Sequence, residues 1–230
     1  MAKESILNWT PAAVVFDCDG TLMDSEQHWQ DARELVLRGH GVAPDVTFAD
    51  RAKGLHYTQC GRLMAETAGR PQLAQEMTRQ LLDVFRKLVA ENPVTCPGAS
   101  ELVFAAAEFA PLAVASNCPR DVVESSLDQA GLLSCFAHVV VPEDGLAPKP
   151  DPALYLAAVE LCGAVPAEAL AVEDSACGIQ SAVRAGLRVL GVGPHPGEQE
   201  TALTDLWVTT LADPAVLAWA ASRPARCPAL

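Results

Sequence analysis

Basic residues are scarce in this chain. Against 29 Asp and Glu stand only 16 Lys and Arg, a formal net charge of -13 at pH 7. A phosphate polyanion such as DNA or RNA meets repulsion over most of such a surface, so nucleic acid is not expected as a partner. A small phosphorylated metabolite stays compatible, because a local group of cations and a metal overrules the global field. Zinc-ligand spacing is also missing. Cys18, Cys60, Cys96, Cys118, Cys135, Cys162, Cys177 and Cys227 are scattered, and none forms a C-x-x-C pair. Scattered thiols in a chain large enough for a core predict reduced, mostly buried cysteines in a cytoplasmic protein. There is no uninterrupted apolar run of about 18 residues, so no membrane-spanning helix is expected. The opening MAKESILNW has no basic stretch followed by a long apolar one, so no signal peptide is expected. Repeats and low-complexity tracts are absent.

What is present fits a globular protein. The 230 residues, half of them apolar, suffice for one substantial core or for a core with a smaller second domain. Five short apolar, partly β-branched runs read as strands buried on both faces: Ala12–Phe16, Leu112–Ala115, His138–Val141, Leu170–Val172 and Arg188–Val192. Helical patterns lie between them, with Pro119 and Pro152 at first-turn positions and Gly131 and Gly186 as stops. This alternation predicts an α/β domain with a doubly wound, Rossmann-like parallel sheet. Residues 26–92 differ. Leu35-Val36, Leu63-Met64, Leu81-Leu82, Phe85 and Leu88-Val89 recur at helical spacing with no strand pattern. They predict an all-helical insert directly after the first strand, with a Pro- and Gly-containing return through 92–98. Arg223–Leu230 reads as a loose tail.

Four segments carry candidate chemistry, and ligands in open α/β sheets bind at the carboxyl ends of strands. The first is Asp17-Cys18-Asp19-Gly20-Thr21. In an extended strand end, Asp17 and Asp19 point the same way, and two carboxylates so close repel unless a cation intervenes. The second, Ser116-Asn117, offers a hydroxyl and backbone N–H groups where a strand turns into a helix. The third is Lys149, held in Ala147-Pro148-Lys149-Pro150-Asp151-Pro152, where three prolines limit the loop. The fourth is Glu173-Asp174-Ser175, two further acids at a strand end, of the oxygen type that hard cations take. Singly, these read as a helix cap, an ordinary turn and a solvated lysine. Their coincidence at strand ends is what points to a site.

Together the segments resemble the haloacid dehalogenase superfamily. FDCDGT is similar to its first motif, ASN to its second, the KP loop to its third and VEDS to its fourth. Phe48–Leu55, KPDPALY and VEDSACGIQSAVRAG resemble the β-phosphoglucomutase-like branch, which includes many sugar-phosphate phosphatases. The resemblance implies a core of residues 1–24 and 96–230 and a small α-helical cap of residues 25–95. It implies Asp17 as nucleophile forming an aspartyl-phosphate, and Asp19 as general acid and base. Mg2+ would be held by the carboxylates of Asp17 and Asp174 and by the backbone carbonyl of Asp19. Glu173 would be a further ligand or a partner of one. Ser116, the N–H of Asn117, and Lys149 would grip the phosphoryl oxygens. Lys53 and Gly54 resemble the substrate loop of the sugar-phosphate branch, and His28, His56 and Tyr57 are further specificity candidates.

The second Asp separates reaction classes. Dehalogenases and phosphonoacetaldehyde hydrolases of the superfamily lack it. The mutases of the branch carry an Arg shortly after the Lys-Gly pair, where this chain has Tyr57, and a His in the first cap helix, where Trp29 falls with His28 beside it. A Tyr cannot reproduce the bidentate grip of Arg on phosphate. The expectation is therefore a Mg2+-dependent phosphohydrolase of a small phosphomonoester, with a sugar phosphate the leading class. The alternatives are a β-phosphoglucomutase-type mutase and a non-catalytic regulatory protein. A monomer or small homo-oligomer is expected.

Overall fold

The computed structural model describes residues 5–225 apart from 46, 53, 54, 195 and 196. The chain divides into two compact units. One joins Met1–Asp24 to Thr95–Leu230, and the other is Ser25–Val94.

The first unit is built on a six-stranded parallel sheet: β1 Ala13–Phe16, β2 Leu112–Ala115, β3 His138–Val140, β4 Ala169–Glu173, β5 Arg188–Val192 and β6 Leu206–Val208. The spatial order is β3-β2-β1-β4-β5-β6. The chain builds outward from β1 to β3, then returns to the other side of β1 and builds outward again. The reversal of winding therefore falls beside β1, where such sheets open a crevice at their carboxyl ends. Every residue of β1, β2 and β4 is buried, which is why these segments read as unbroken apolar runs. Side chains alternate between the two faces. Ala13 and Val15 join Leu154, Tyr155, Ile179 and Ala182 in one core layer, on the side of helices Ala153–Leu161 and Ala176–Ala185. Elsewhere in the unit, Phe16 meets Phe136 edge-on at 5.9 Å, and Phe109 of helix Ala99–Phe109 meets Trp219 of helix Pro214–Ala221 at 5.8 Å.

The sequence reading missed β6. Its three residues are too few to make a run, and two of them are half-buried. What holds it is Trp207, whose ring lies where a side chain at Gly191 of β5 would otherwise stand and whose Nε1–H donates to Gly193 O at 2.9 Å. Smaller corrections concern boundaries. Val141 lies outside β3, β4 starts a residue earlier than expected, and Pro119 and Pro152 precede their helices by one position rather than opening them. Gly186 ends helix Ala176–Ala185 with φ +89°, a conformation that favours glycine.

The second unit contains helices Glu26–Gly39, Phe48–Ala52, Tyr57–Thr67 and Ala74–Glu91, and no strand among the described residues. Leu37, Met64, Met77, Leu81 and Phe85 are fully buried at helical spacing, and Trp29 stacks on Phe85 at 3.7 Å. Helices Tyr57–Thr67 and Ala74–Glu91 approach closely at Gly61, where a Cβ would overlap the Thr78 side chain. No helix among the described residues is long and apolar enough to cross a membrane.

Candidate active site

Parallel pairing sets three of the four segments level. Phe16 is in register with Val114 on one side and Val172 on the other, and Ala115 with Val140. Asp17, Ser116 and Glu173-Asp174 therefore leave the sheet at one edge, beside the reversal of winding. The backbone N–H of Asp17 still donates to Val172 O at 2.9 Å, and that of Ser116 to Val140 O at 3.1 Å, so both residues are anchored by the ladder.

Lys149 reaches this edge from the loop after β3. Its Nζ donates to Asp17 Oδ1 at 2.6 Å and to Glu173 Oε1 at 2.6 Å, with its side chain only 3% exposed. The loop that presents it is tied down at several points. The Asn117 side-chain amide donates to Lys149 O at 3.2 Å, and its Oδ1 accepts from Lys149 N at 2.8 Å. Ser181 Oγ donates to Asp151 O at 2.6 Å, and Arg184 donates to Pro150 O at 2.9 Å. The Lys149–Pro150 peptide is cis. Proline content alone pointed to a rigid loop; the Asn117 clamp gave no signal in the sequence.

Asp17, Glu173 and Asp174 each bring a carboxylate oxygen within 4.8 Å of the others. The two motif acids of the last segment have different surroundings. Glu173 is fully buried. Its Oε1 accepts from Lys149 Nζ and from Tyr155 OH at 2.9 Å, and its Oε2 accepts from Asp174 N, Ser175 N and Ser175 Oγ at 3.1, 3.2 and 3.0 Å. Gly178 makes room for it, since a Cβ there would overlap the Glu173 carboxylate. Among the described residues Asp174 Oδ1 accepts only from Thr21 Oγ1, at 3.3 Å. Gly20, at φ +90°, lies against the Asp174 carboxylate, and a Cβ would overlap it. One oxygen each on Asp17 and Asp174 thus receives no donor from the described residues.

Charge balance follows from burial. Desolvation raises Asp17 from 3.8 to about 7 despite the opposing pull of Lys149, with Glu173 pushing further upward. Desolvation, and then repulsion from Asp17 and Glu173, hold Asp174 well above the usual carboxylate range. Burial alone would lower Lys149, but the Asp17 and Glu173 carboxylates keep its ammonium well above the ordinary lysine value. Three acids around one lysine leave this group short of positive charge. The open oxygens on Asp17 and Asp174 match what a hard divalent cation takes, so these residues fit such an ion.

Of the remaining candidates, Asp19 is half-buried, and burial first and then the Asp19 carboxylate push the Cys118 thiol well above its usual range. Its carboxylate is not part of the three-acid group. Ser116 is buried, and its Oγ accepts from Cys118 N at 3.0 Å. In the helical unit, His56 caps helix Tyr57–Thr67, its Nδ1 2.8 Å from Thr58 Oγ1, and its ring lies 4.0 Å from that of Tyr57. His28 is half-buried on helix Glu26–Gly39, and its Nδ1 finds no hydrogen-bond partner among the described residues. Lys53 and Gly54 lie outside the described residues. Thr21, Tyr155 and Gly178 lie within the sequence motifs, which give them no role; the structure sets Thr21 against Asp174 and both Tyr155 and Gly178 against Glu173.

Comparison with known proteins adds a family. A model of the haloacid dehalogenase-like hydrolases matches residues 14–192. Putative phosphatase YhcW of Bacillus subtilis is 30% identical over 181 residues, 76% of this chain and 80% of that one. A phosphorylated carbohydrates phosphatase of Thermotoga maritima is 28% identical over 186 residues, 78% of this chain and 84% of its own length. Among solved structures, a β-phosphoglucomutase from Clostridium difficile superposes with a TM-score of 0.76 at 18% identity, over 89% of this chain and 93% of that one, a likeness of fold.

Proposed function

Given that the chain belongs to the haloacid dehalogenase-like hydrolases, we propose that it is a phosphatase that hydrolyses a small phosphomonoester, with sugar phosphates the first class to test. The observation that carries this reading is the meeting of Asp17, Lys149 and Asp174 at one sheet edge, 132 residues apart in sequence in the case of Asp17 and Lys149. The name of the Thermotoga maritima relative supports the substrate class.

An Asp17 carboxylate oxygen attacks phosphorus. A new O–P bond forms as the bond to the substrate oxygen breaks, and Asp19 gives that oxygen its proton. Asp19, now a carboxylate, takes a proton from water. The water oxygen bonds to phosphorus and the Asp17–phosphorus bond breaks, which restores both side chains. Ser116 Oγ, Asn117 N–H and Lys149 Nζ meet the negative charge spread over the peripheral oxygens. A divalent ion, proposed as Mg2+, would be held by Asp17, Asp174 and the Asp19 carbonyl, and would neutralise phosphoryl charge. Glu173 is read here as the counter-ion that holds Lys149, because its two oxygens are already engaged by chain donors. Residues 25–95 are read as the family's cap, with His28, Lys53, Gly54, His56 and Tyr57 as its substrate-selecting candidates.

The test is a panel of phosphomonoesters, generic ones included, read for released phosphate with Mg2+ present. Release from at least one sugar phosphate, lost in Asp17→Asn, is the expected result. Failure on every phosphomonoester would overturn the reading, and isomerisation of a sugar phosphate without net release would replace it with a mutase.

A further inference from the structure

Tyr155 has no part in the chemistry above, yet it is fully buried beside it. It stands in the first turn of helix Ala153–Leu161, directly after the proline-rich loop that carries Lys149. Its hydroxyl donates to Glu173 Oε1 at 2.9 Å, and its ring centroid is 5.0 Å from Lys149 Nζ. That same Oε1 accepts from Lys149 at 2.6 Å. Phenol and ammonium therefore share one carboxylate oxygen, while the other oxygen is fixed by Asp174 N, Ser175 N and Ser175 Oγ.

This arrangement bears on Lys149. A lysine is a point charge on a flexible stem, with three donor protons and no planar fork to fix its aim. Here one proton goes to Asp17 and one to Glu173, and the third is left for a phosphoryl oxygen. The aim of that third proton depends on where Glu173 Oε1 sits and on the electron-rich ring face nearby.

Resting on the phosphatase reading, we propose that Tyr155 is a positioning residue for Lys149: its hydroxyl sets the Glu173 carboxylate, and its ring supports the ammonium. A tyrosine kept only to fill the core would need its ring and not its hydroxyl.

The experiment compares wild type, Tyr155→Phe, Tyr155→Leu, Lys149→Met and the Lys149→Met/Tyr155→Phe double variant on the best substrate of the panel. All are assayed below their melting transitions, the slow ones by single turnover. Tyr155→Phe keeps the ring and is expected to lose kcat by about tenfold, the worth of one misdirected hydrogen bond, with KM little changed. Tyr155→Leu is expected to lose more, with Phe a partial rescue relative to it. In the Lys149→Met background, Tyr155→Phe is expected to cost nothing further, because the group it aims is gone. Full kcat in Tyr155→Phe, or the same tenfold loss with and without Lys149, overturns the proposal. An inactive wild type would instead sink the phosphatase reading, so the two failures are distinguishable.

Discussion

At Asp17 two forces act on one carboxyl group. Burial favours the neutral acid, while the Lys149 ammonium 2.6 Å away favours the anion, and burial prevails, with the group titrating at about 7 against 3.8 for a free side chain. Between pH 3.8 and about 7 the metal-free folded protein therefore holds a proton that the unfolded chain has lost. This contribution to stability is complete below 3.8 and is lost as pH rises through 7. Urea melts in EDTA should show the wild type losing stability from pH 5 to pH 8, with a flatter dependence in Asp17→Asn; equal slopes would remove Asp17 as the source. The same proton competes with a cation, so Mg2+ affinity measured by calorimetry should weaken as pH falls below 7, whereas affinity constant down to pH 5 would argue against Asp17 as a ligand. Asp19 is placed differently, half-buried beside the Cys118 thiol. Asp19→Ala should slow turnover by about two to four orders of magnitude, the usual worth of a general acid, and a near-normal rate would assign the proton to another group.

At the scale of elements, the sheet does most of the arranging. Fully buried β1, β2 and β4 were readable because strands covered on both faces must be apolar throughout. Edge strand β6 was not, because a half-covered Leu-Trp-Val needs no such pattern and depends instead on Gly191 leaving space for Trp207. The acids at the strand ends were legible for the same reason: Asp17 and Glu173-Asp174 break apolar runs where a turn alone does not call for them. Their supports were not legible. The Asn117 amide that clamps the Lys149 backbone, and the Gly178 that admits Glu173, act across 32 and 5 positions of sequence through contacts that only the fold creates. Gly178→Ala tests that dependence. A methyl group driven into the Glu173 carboxylate should cost about 1–3 kcal/mol in chemical denaturation, together with a loss of turnover. Unchanged stability would mean that Glu173 moves aside without consequence.

For the whole molecule, the net charge of -13 and the buried acids pull the same way. The protein attracts cations over its surface, and Asp17 and Asp174 each hold a carboxyl oxygen that receives no donor from the described residues. EDTA should abolish turnover and Mg2+ restore it, and full activity in metal-free buffer would contradict the proposed ligands. The sequence carries two patterns, short apolar runs and helical spacing; in the structure the contacts divide the chain into Met1–Asp24 with Thr95–Leu230 and Ser25–Val94. It could not supply the substrate, since the candidate selecting residues carry no motif as distinctive as the acids. The central claim is that Asp17 itself takes the phosphoryl group. Acid-quenched turnover followed by peptide mass mapping tests it most directly. A phosphorylated peptide modified at Asp17, absent from Asp17→Asn, is the predicted result; steady phosphate release by Asp17→Asn at the wild-type rate would contradict it.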